Sequence, residues 1–449
     1  MSKVIDKFKD LKLVKTLTNI WRIEDLRSRI LITLLFVTIY RLGSYVVLPG
    51  VDTEALQGLK NQTEGGLMSL LDMFSGGAFS QASIFALGIM PYISASIVMQ
   101  LLGIAVPYFQ KMQREGESGR RKMSQYTRYL TVPILIFQGI FYLINLQTQT
   151  QGAALYSSLD WNVFILYATI ILAAGSMFVL WLGERITDKG IGNGVSIIIM
   201  IGIIARFPKA VIQEFGTRIG GQGGLVMFLI EIVLFVAVIA AAILLVQGVR
   251  RVPVNYAKKI AGARQIGGAR QYIPLKPYAA NVMPIIFAQA IMFIPVTLAQ
   301  FSGSKLNPVV NQLIDNNSFV YNLIFAILII LFTYLYTAIT INPVQMAEDM
   351  KRNNGFIPGI KPGKDTADYI DKIMSRITFP GSLFLALIAI LPAFAGLFGV
   401  QREFAAFFGG TSLLILVGVV LDTLMQIESH LMMRHYDGLL DTGRVRGEH

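Results

Sequence analysis

The apolar stretches of this 449-residue chain carry four charged side chains, Arg41, Arg206, Glu231 and Asp422. A charge within a membrane-spanning stretch is costly enough to be read as functional by default. Three of the four lie near the ends of their stretches, and Glu231, a turn or two from an end, is the candidate for a functional charge. Transport coupled to ions or protons needs such groups gathered where a span is interrupted, yet none of the four stands beside Pro91, Pro284 or the glycines 192–194. His430, His435 and His449 lie in the C-terminal tail without the spacing of metal ligands. There is no cysteine, which excludes disulfides and thiol chemistry. No phosphate-binding loop occurs, because the nearest glycine-rich string, Gly190-Ile-Gly-Asn-Gly194, lacks the lysine and reads as a helix break or a packing site. The residues therefore point to no catalytic set, metal or cofactor, and any work done must draw its energy from another protein.

The elements that position these groups are apolar. Hydrophobic residues make up 54% of the chain and charged ones only 15%, against about 25% charged in soluble domains. Ten stretches stand out: Ile30–Leu48, Ser83–Val106, Tyr129–Leu146, Phe164–Leu182, Gly192–Phe207, Leu225–Val246, Ala279–Phe301, Val320–Ile341, Phe379–Phe398 and Phe404–Met425. Most reach the roughly 20 residues that cross about 30 Å of hydrocarbon. In the fourth stretch, Leu172 is read as facing lipid.

Charge placement orients the spans. On the side of both termini, Lys and Arg number 8 before the first span, then 6, 2, 7 and 6 in successive loops and 3 in the tail, against 5 in the opposite loops. The positive-inside rule puts both termini in the cytoplasm. The N-terminal segment 1–29 has no signal-peptide pattern, but Val4, Phe8, Leu11, Val14, Leu17, Ile20 and Trp21 recur at helical spacing among lysines. That stripe fits a helix lying on the membrane surface and equally one packed on the protein's own loops.

Five spans fall on each side of the exposed, glycine-rich segment Pro208–Gly224, giving halves 30–207 and 225–425, followed by the tail 426–449. Because five is odd, the halves run in opposite directions. Their second spans share Met-Pro, in Gly88-Ile-Met-Pro-Tyr-Ile93 and Asn281-Val-Met-Pro-Ile-Ile286, and their fifth spans align weakly, Gly194-Val-Ser-Ile-Ile-Ile199 with Gly410-Thr-Ser-Leu-Leu-Ile415. An inverted repeat of this kind places the pathway between the halves. The apolar segment Gly66–Phe74 is too short to cross and precedes Ser75-Gly-Gly77, as expected of a re-entrant helix in a protein-lined cavity. Two long basic loops, Gln247–Tyr278 and Asn342–Thr378, carry turn signals such as Pro358-Gly359 and Pro362-Gly363 and are read as projecting into the cytoplasm.

Several strings closely resemble the SecY family, the central subunits of bacterial protein-conducting channels. They are Phe74-Ser-Gly-Gly-Ala-Phe-Ser-Gln-Ala-Ser-Ile-Phe-Ala-Leu-Gly-Ile-Met-Pro-Tyr-Ile-Ser-Ala-Ser96, Arg114-Glu-Gly-Glu-Ser-Gly-Arg-Arg-Lys-Met-Ser-Gln-Tyr-Thr-Arg128, Thr187-Asp-Lys-Gly-Ile-Gly-Asn-Gly-Val-Ser196 and Arg251-Val-Pro-Val-Asn-Tyr-Ala-Lys258. The resemblance implies an all-α polytopic fold of ten transmembrane helices in two inverted five-helix halves around an hourglass pore. Such a pore passes unfolded secretory chains across the bacterial cytoplasmic (inner) membrane and releases hydrophobic helices sideways into lipid. It implies a constriction of Ile89, Ile93, Val195, Ile199, Ile286 and Ile415. The repeats pair Ile93 with Ile286 and Ile199 with Ile415 independently of the family. A narrow aliphatic ring offers no hydrogen bonds and disfavours wetting when closed.

By the same resemblance the re-entrant segment is a plug containing Leu67, Leu70, Leu71, Met73 and Phe74. A lateral gate lies between the second, third, seventh and eighth spans, with Ser94, Gln100, Gln289 and Thr411 as polar residues lining gate or pore, or serving as glue between helices. Arg250, Arg251, Lys258, Lys259, Arg264 and Lys361 are the expected contacts to a ribosome or to the motor ATPase SecA. The family usually has arginine where this chain has Lys361, and lysine lacks the planar fork of a bidentate contact. Small SecE-like and SecG-like membrane subunits, signal peptides, nascent chains and lipid complete the implied partners. A secondary transporter built on the same repeat is the alternative, and it requires buried acidic or histidine residues at the interrupted spans, where none is seen near Pro91, Pro284 or Gly192–Gly194.

Overall fold

The computed structural model describes residues 23–52, 72, 75–149, 160–220, 224–256, 259–261, 264–266, 270–277, 283–289, 291–292 and 318–441. Helices dominate: α1 (Glu24–Gly43), α2 (Met90–Ala105), α3 (Pro107–Arg114), α4 (Glu117–Gln149), α5 (Trp161–Lys189), α6 (Gly194–Ile219), α7 (Gly224–Gln247), α8 (Phe319–Thr340), α9 (Pro343–Arg352), α10 (Lys364–Leu397), α11 (Arg402–Ala405) and α12 (Gly410–Asp441). Among the described residues, seven helices are long and apolar enough to cross a membrane, and an eighth if α2 and α3, bent by 101°, form one span. The bend falls at Val106, held extended ahead of Pro107. Most of the expected seventh span, Ala279–Phe301, lies outside the described residues. The chain forms two compact units, Met1–Arg206 with Val419–His449, and Phe207–Gly418.

In the first unit the core gathers Leu48, Phe79, Ala86, Leu135, Leu143, Phe164 and Leu172, so α4 and α5 pack around residues 47–51 and 79–87, which lie between α1 and α2. Leu172 is fully buried, which corrects its reading as lipid-facing. The outward face of α5 is instead marked by Leu166 and Ile170, at 68% and 62% exposure. In an apolar helix hydrophobicity does not tell lipid from core, and only packing decides.

Three boundaries differ from the sequence reading. The second span begins as helix at Met90, not Ser83, because the chain before it turns through positive φ at Gly76, Gly77, Ala82 and Gly88. The fifth continues through Pro208 to Ile219, so most of the supposed exposed segment is helical. The last starts at Gly410, after the separate short helix α11.

The second unit carries a feature the all-helical reading did not anticipate. The loop after α7 is a sheet in the order β4 (Arg270–Leu275), β1 (Arg250–Tyr256) and β5 (Gly355–Phe356), all antiparallel, with Arg250 opposite Leu275 and Asn255 opposite both Arg270 and Phe356. A separate hairpin joins β2 (Lys259–Ala261) and β3 (Arg264–Ile266). Alternation along β1 buries Val252 and Val254 against Met350 of α9 and Ile370 and Met374 of α10. The two long basic loops are thus one packed module. Asn342 caps α9 by accepting from the Gln345 amide ahead of Pro343 at the first helical position.

Candidate functional site

The residues expected in the pore ring lie at helix beginnings. In the first unit Ile89 is the N-cap of α2 and Ile93 stands one turn in, while Val195 and Ile199 occupy the first two turns of α6. Ile89 and Ile199 are buried and Ile93 and Val195 half-buried, with the Val195 methyl lying close over Gly183 of α5. In the second unit Ile286 is half-buried in the helical stretch 283–289, and Ile415 is buried in the second turn of α12.

The start of α2 is aimed by the irregular segment 75–89. Bare backbone at membrane depth must find partners within the protein, and here it does. Leu48 N donates to Ala82 O (2.8 Å) and Ile84 N to Val46 O (2.9 Å), forming a bridge at Val47 and Ser83. Tyr142 Oη donates to Phe79 O (2.8 Å), and Tyr40 Oη to Ser75 O (3.2 Å). Gly175 of α5 admits the segment, since a Cβ there would stand 2.1 Å from the carbonyl oxygen of Ile84. Two of the four charges noted in the sequence serve the same segment: Arg41 Nη1 donates to Gly76 O (2.7 Å), and Arg206 Nη1 lies 2.9 Å from Asp72 Oδ2. The sequence reading missed Asp72; the one signal was an acid inside the short apolar segment Gly66–Phe74, and nothing in the sequence paired it with Arg206.

The start of α6 is fixed by the glycine string 190–194. Its amides are taken up by Thr33 Oγ1 (from Ile191, 3.1 Å), Gln426 Oε1 (from Gly192, 2.9 Å) and Thr187 Oγ1 (from Gly194, 2.9 Å). A Cβ on Gly194 would stand 1.9 Å from Gly183 O, so glycine is demanded by contact with α5. This is the packing role the string's missing lysine pointed to.

Polar gate candidates are partly satisfied locally. Ser94 Oγ accepts from Gln138 Nε2 of α4 at 3.5 Å, whereas Gln100 Nε2 reaches Ser96 Oγ of its own helix at 3.3 Å. Gln289 is half-buried, and Thr411 is buried in the first turn of α12. Leu67, Leu70, Leu71, Met73, Phe74 and Lys258 lie outside the described residues. Arg250 and Arg251 are exposed at the start of β1, Lys259 and Arg264 belong to the β2–β3 hairpin, and Lys361 is exposed with its carbonyl accepting from Thr366 Oγ1 (2.8 Å).

Glu231 belongs to a different construction. Within the second unit, Arg218 Nε donates to Glu214 Oε1 (2.8 Å), and its Nη2 bonds both Glu231 Oε1 and the carbonyl of Gly399 (3.0 Å). Glu214 Oε2 accepts from Gln401 N at 2.8 Å. All three side chains are buried, and Glu231 is an ion-pair partner joining α6, α7 and the turn after α10.

A family model described as SecY matches residues 83–424. The protein translocase subunit SecY of Streptomyces scabiei is 43% identical over 437 residues, covering 94% of this chain and 98% of that protein. Its counterpart from Aquifex aeolicus is 41% identical over 423 residues with the same coverage. Among solved structures, a protein-conducting channel aligns with a TM-score of 0.63 at 16% identity, over 94% of this chain and 95% of that one. Sec61 in the canine ribosome-channel complex of the endoplasmic reticulum aligns over the same shares with a TM-score of 0.58 at 15% identity. At such identities the structures speak for the fold, and the near full-length relatives speak for descent: the chain belongs to the SecY family.

Proposed function

We propose that this chain forms a passive protein-conducting channel, passing unfolded polypeptides through the aliphatic ring of Ile89, Ile93, Val195, Ile199, Ile286 and Ile415. The observation that carries the reading is the match along nearly the whole chain to translocase subunits at 43% identity. The geometry supports it, since four of the ring residues stand at two helix starts that tertiary bonds and glycine contacts fix in place. An aliphatic ring closes on itself by dewetting and makes no demand on the sequence of a passing chain. Ser94, Gln100, Gln289 and Thr411 serve the lateral exit or the pore lining. Leu67, Leu70, Leu71, Met73 and Phe74 supply the plug.

The partners follow from the exposed basic module. Arg250, Arg251 and Lys361 present positive charge outside the packed core of β1, α9 and α10, suited to ribosomal RNA phosphates or the acidic face of a SecA motor. SecE-like and SecG-like subunits brace the chain in the membrane, and the charge bias of the loops places both termini in the cytoplasm of a bacterial cell.

Because the chain contains no cysteine, one can be placed at will. A cysteine at Ile93 is expected to crosslink to a cysteine in a secretory precursor arrested partway through export, while a cysteine at the exposed Ile170 does not. Silence at Ile93, Ile199 and Ile286 alike, with the precursor shown to be engaged, would return the transporter reading to first place.

A further inference from the structure

Asp72 is 3% exposed and both its carboxylate oxygens are engaged. Oδ2 pairs with Arg206 Nη1 at 2.9 Å, and Oδ1 accepts from Ser80 N at 2.7 Å, drawing the beginning of the irregular segment into a tight loop. Four residues on, Gly76 is pressed between two helices: its carbonyl takes the Arg41 guanidinium of α1, and a Cβ on it would stand 2.9 Å from Gly202 Cα of α6. Ile199, Gly202 and Arg206 are three and four residues apart, so they share one face of α6. The face that carries a ring residue therefore also carries both contacts that seat the segment ending at the ring residue Ile89.

Arg206 also stands at a junction. It is the last residue of the first unit's main run, and its neighbour Phe207 stacks on Phe235 and meets Phe407 edge-on within the second. Pro208 follows inside the helix, without an N–H for the carbonyl four residues back. One helical hydrogen bond is thus missing beside the residue tied to Asp72 and its neighbour in the aromatic cluster.

We propose that the Asp72–Arg206 pair, backed by Arg41 on the Gly76 carbonyl, is the lock of the resting channel. It positions segment 75–89, and with it Ile89, against the Ile199 face of α6, and a displacement of α6 at Phe207–Pro208 releases it. The proposal rests on the channel reading above and adds positioning residues that set how readily the channel opens.

The test uses the full chain, purified with its co-purifying subunits and placed in planar bilayers. Conductance is read at rest and again with a precursor arrested in the pore. Asp72→Asn keeps an acceptor for Ser80 N and removes only the charge; Arg206→Gln removes the other partner. Each is expected to raise resting conductance at least about tenfold, as befits losing one member of a buried pair, while precursor-dependent conductance persists. Arg206→Lys stays near the parent, and the double variant Asp72→Asn/Arg206→Gln opens no further than either single one, the mark of a shared interaction. A variant that merely misfolds loses the precursor-dependent conductance as well, and the other single variant then decides. Resting conductance equal to the parent in the assembled single variants, or additive in the double, overturns the lock. A parent whose conductance ignores the precursor overturns the channel reading instead.

Discussion

Two buried ionic sites among the described residues do different work. In the first unit a single pair, Asp72 with Arg206, holds backbone that is not helical. In the second, one arginine serves two glutamates of α6 and α7 and a carbonyl in the turn after α10. The first site has neutral helpers, Tyr142 and Tyr40, donating to the carbonyls of Phe79 and Ser75. The second gathers its cationic compensation, among the described residues, at Arg218, with the Gln401 amide donating to Glu214. Charge is thus distributed over several weak ties where the backbone must be aimed and concentrated in one strong tie where helix ends must be clamped. The arrangement near the ring has parts that can let go singly.

The sharpest way to break this contrast is Arg218→Met. It leaves Glu214 and Glu231 buried without their cation, and removing one partner of a buried pair costs about 3–5 kcal/mol. We expect low accumulation of the complex and a large fall in its thermal unfolding temperature in detergent, with an unchanged closed state in whatever assembles. If instead resting conductance rises while thermal stability holds, the two sites have the same role and the comparison fails.

Tyr142→Phe probes the distributed site. Its hydroxyl donates to Phe79 O inside the core of the first unit; that carbonyl keeps its bond from Ala82 N at 3.3 Å, so the loss removes one hydrogen bond, worth about 0.5–1.5 kcal/mol. The expected result is a measurable decrease in thermal stability without loss of assembly, because Ala82, Ile84 and Asp72 still tie the segment down. A collapse as complete as that of Arg218→Met would show that the ties near the ring are not distributed.

How much of this was legible beforehand divides along the same line. Apolar length and loop charge marked the helices, and the Met-Pro and glycine repeats pointed to the helix starts where Ile89, Ile93, Val195 and Ile199 stand. Arg41 and Arg206 were visible as charges in apolar stretches, but their partners were not, since a backbone carbonyl at Gly76 has no sequence signature and Asp72 lies 134 positions from Arg206. Leu172 and Ile170 are chemically alike, and only the packing of α4 on α5 buries one and leaves the other bare. The β1–β4 sheet was hidden by its context: Arg250–Tyr256 alternates for too few residues, between basic loops, to stand out from turn chemistry. Pro208 misled in the opposite direction, since it opens the segment read as exposed and glycine-rich, yet the helix runs through it to Ile219.

The smallest effect belongs to a further ion pair of the second unit, Lys209 with Glu403, at 3.4 Å. It joins α6 to α11 as Arg218 joins α6 to α7, but the lysine side chain is 47% exposed, so solvent and salt screen it. Lys209→Met should therefore alter stability by no more than about 1 kcal/mol, with even that difference fading as salt is raised from low to physiological strength. Thermal unfolding of the parent and variant at two salt concentrations reads it directly. A shift approaching that of Arg218→Met, and insensitive to salt, would mean that the clamp is spread over two cations and that the second unit is built like the first.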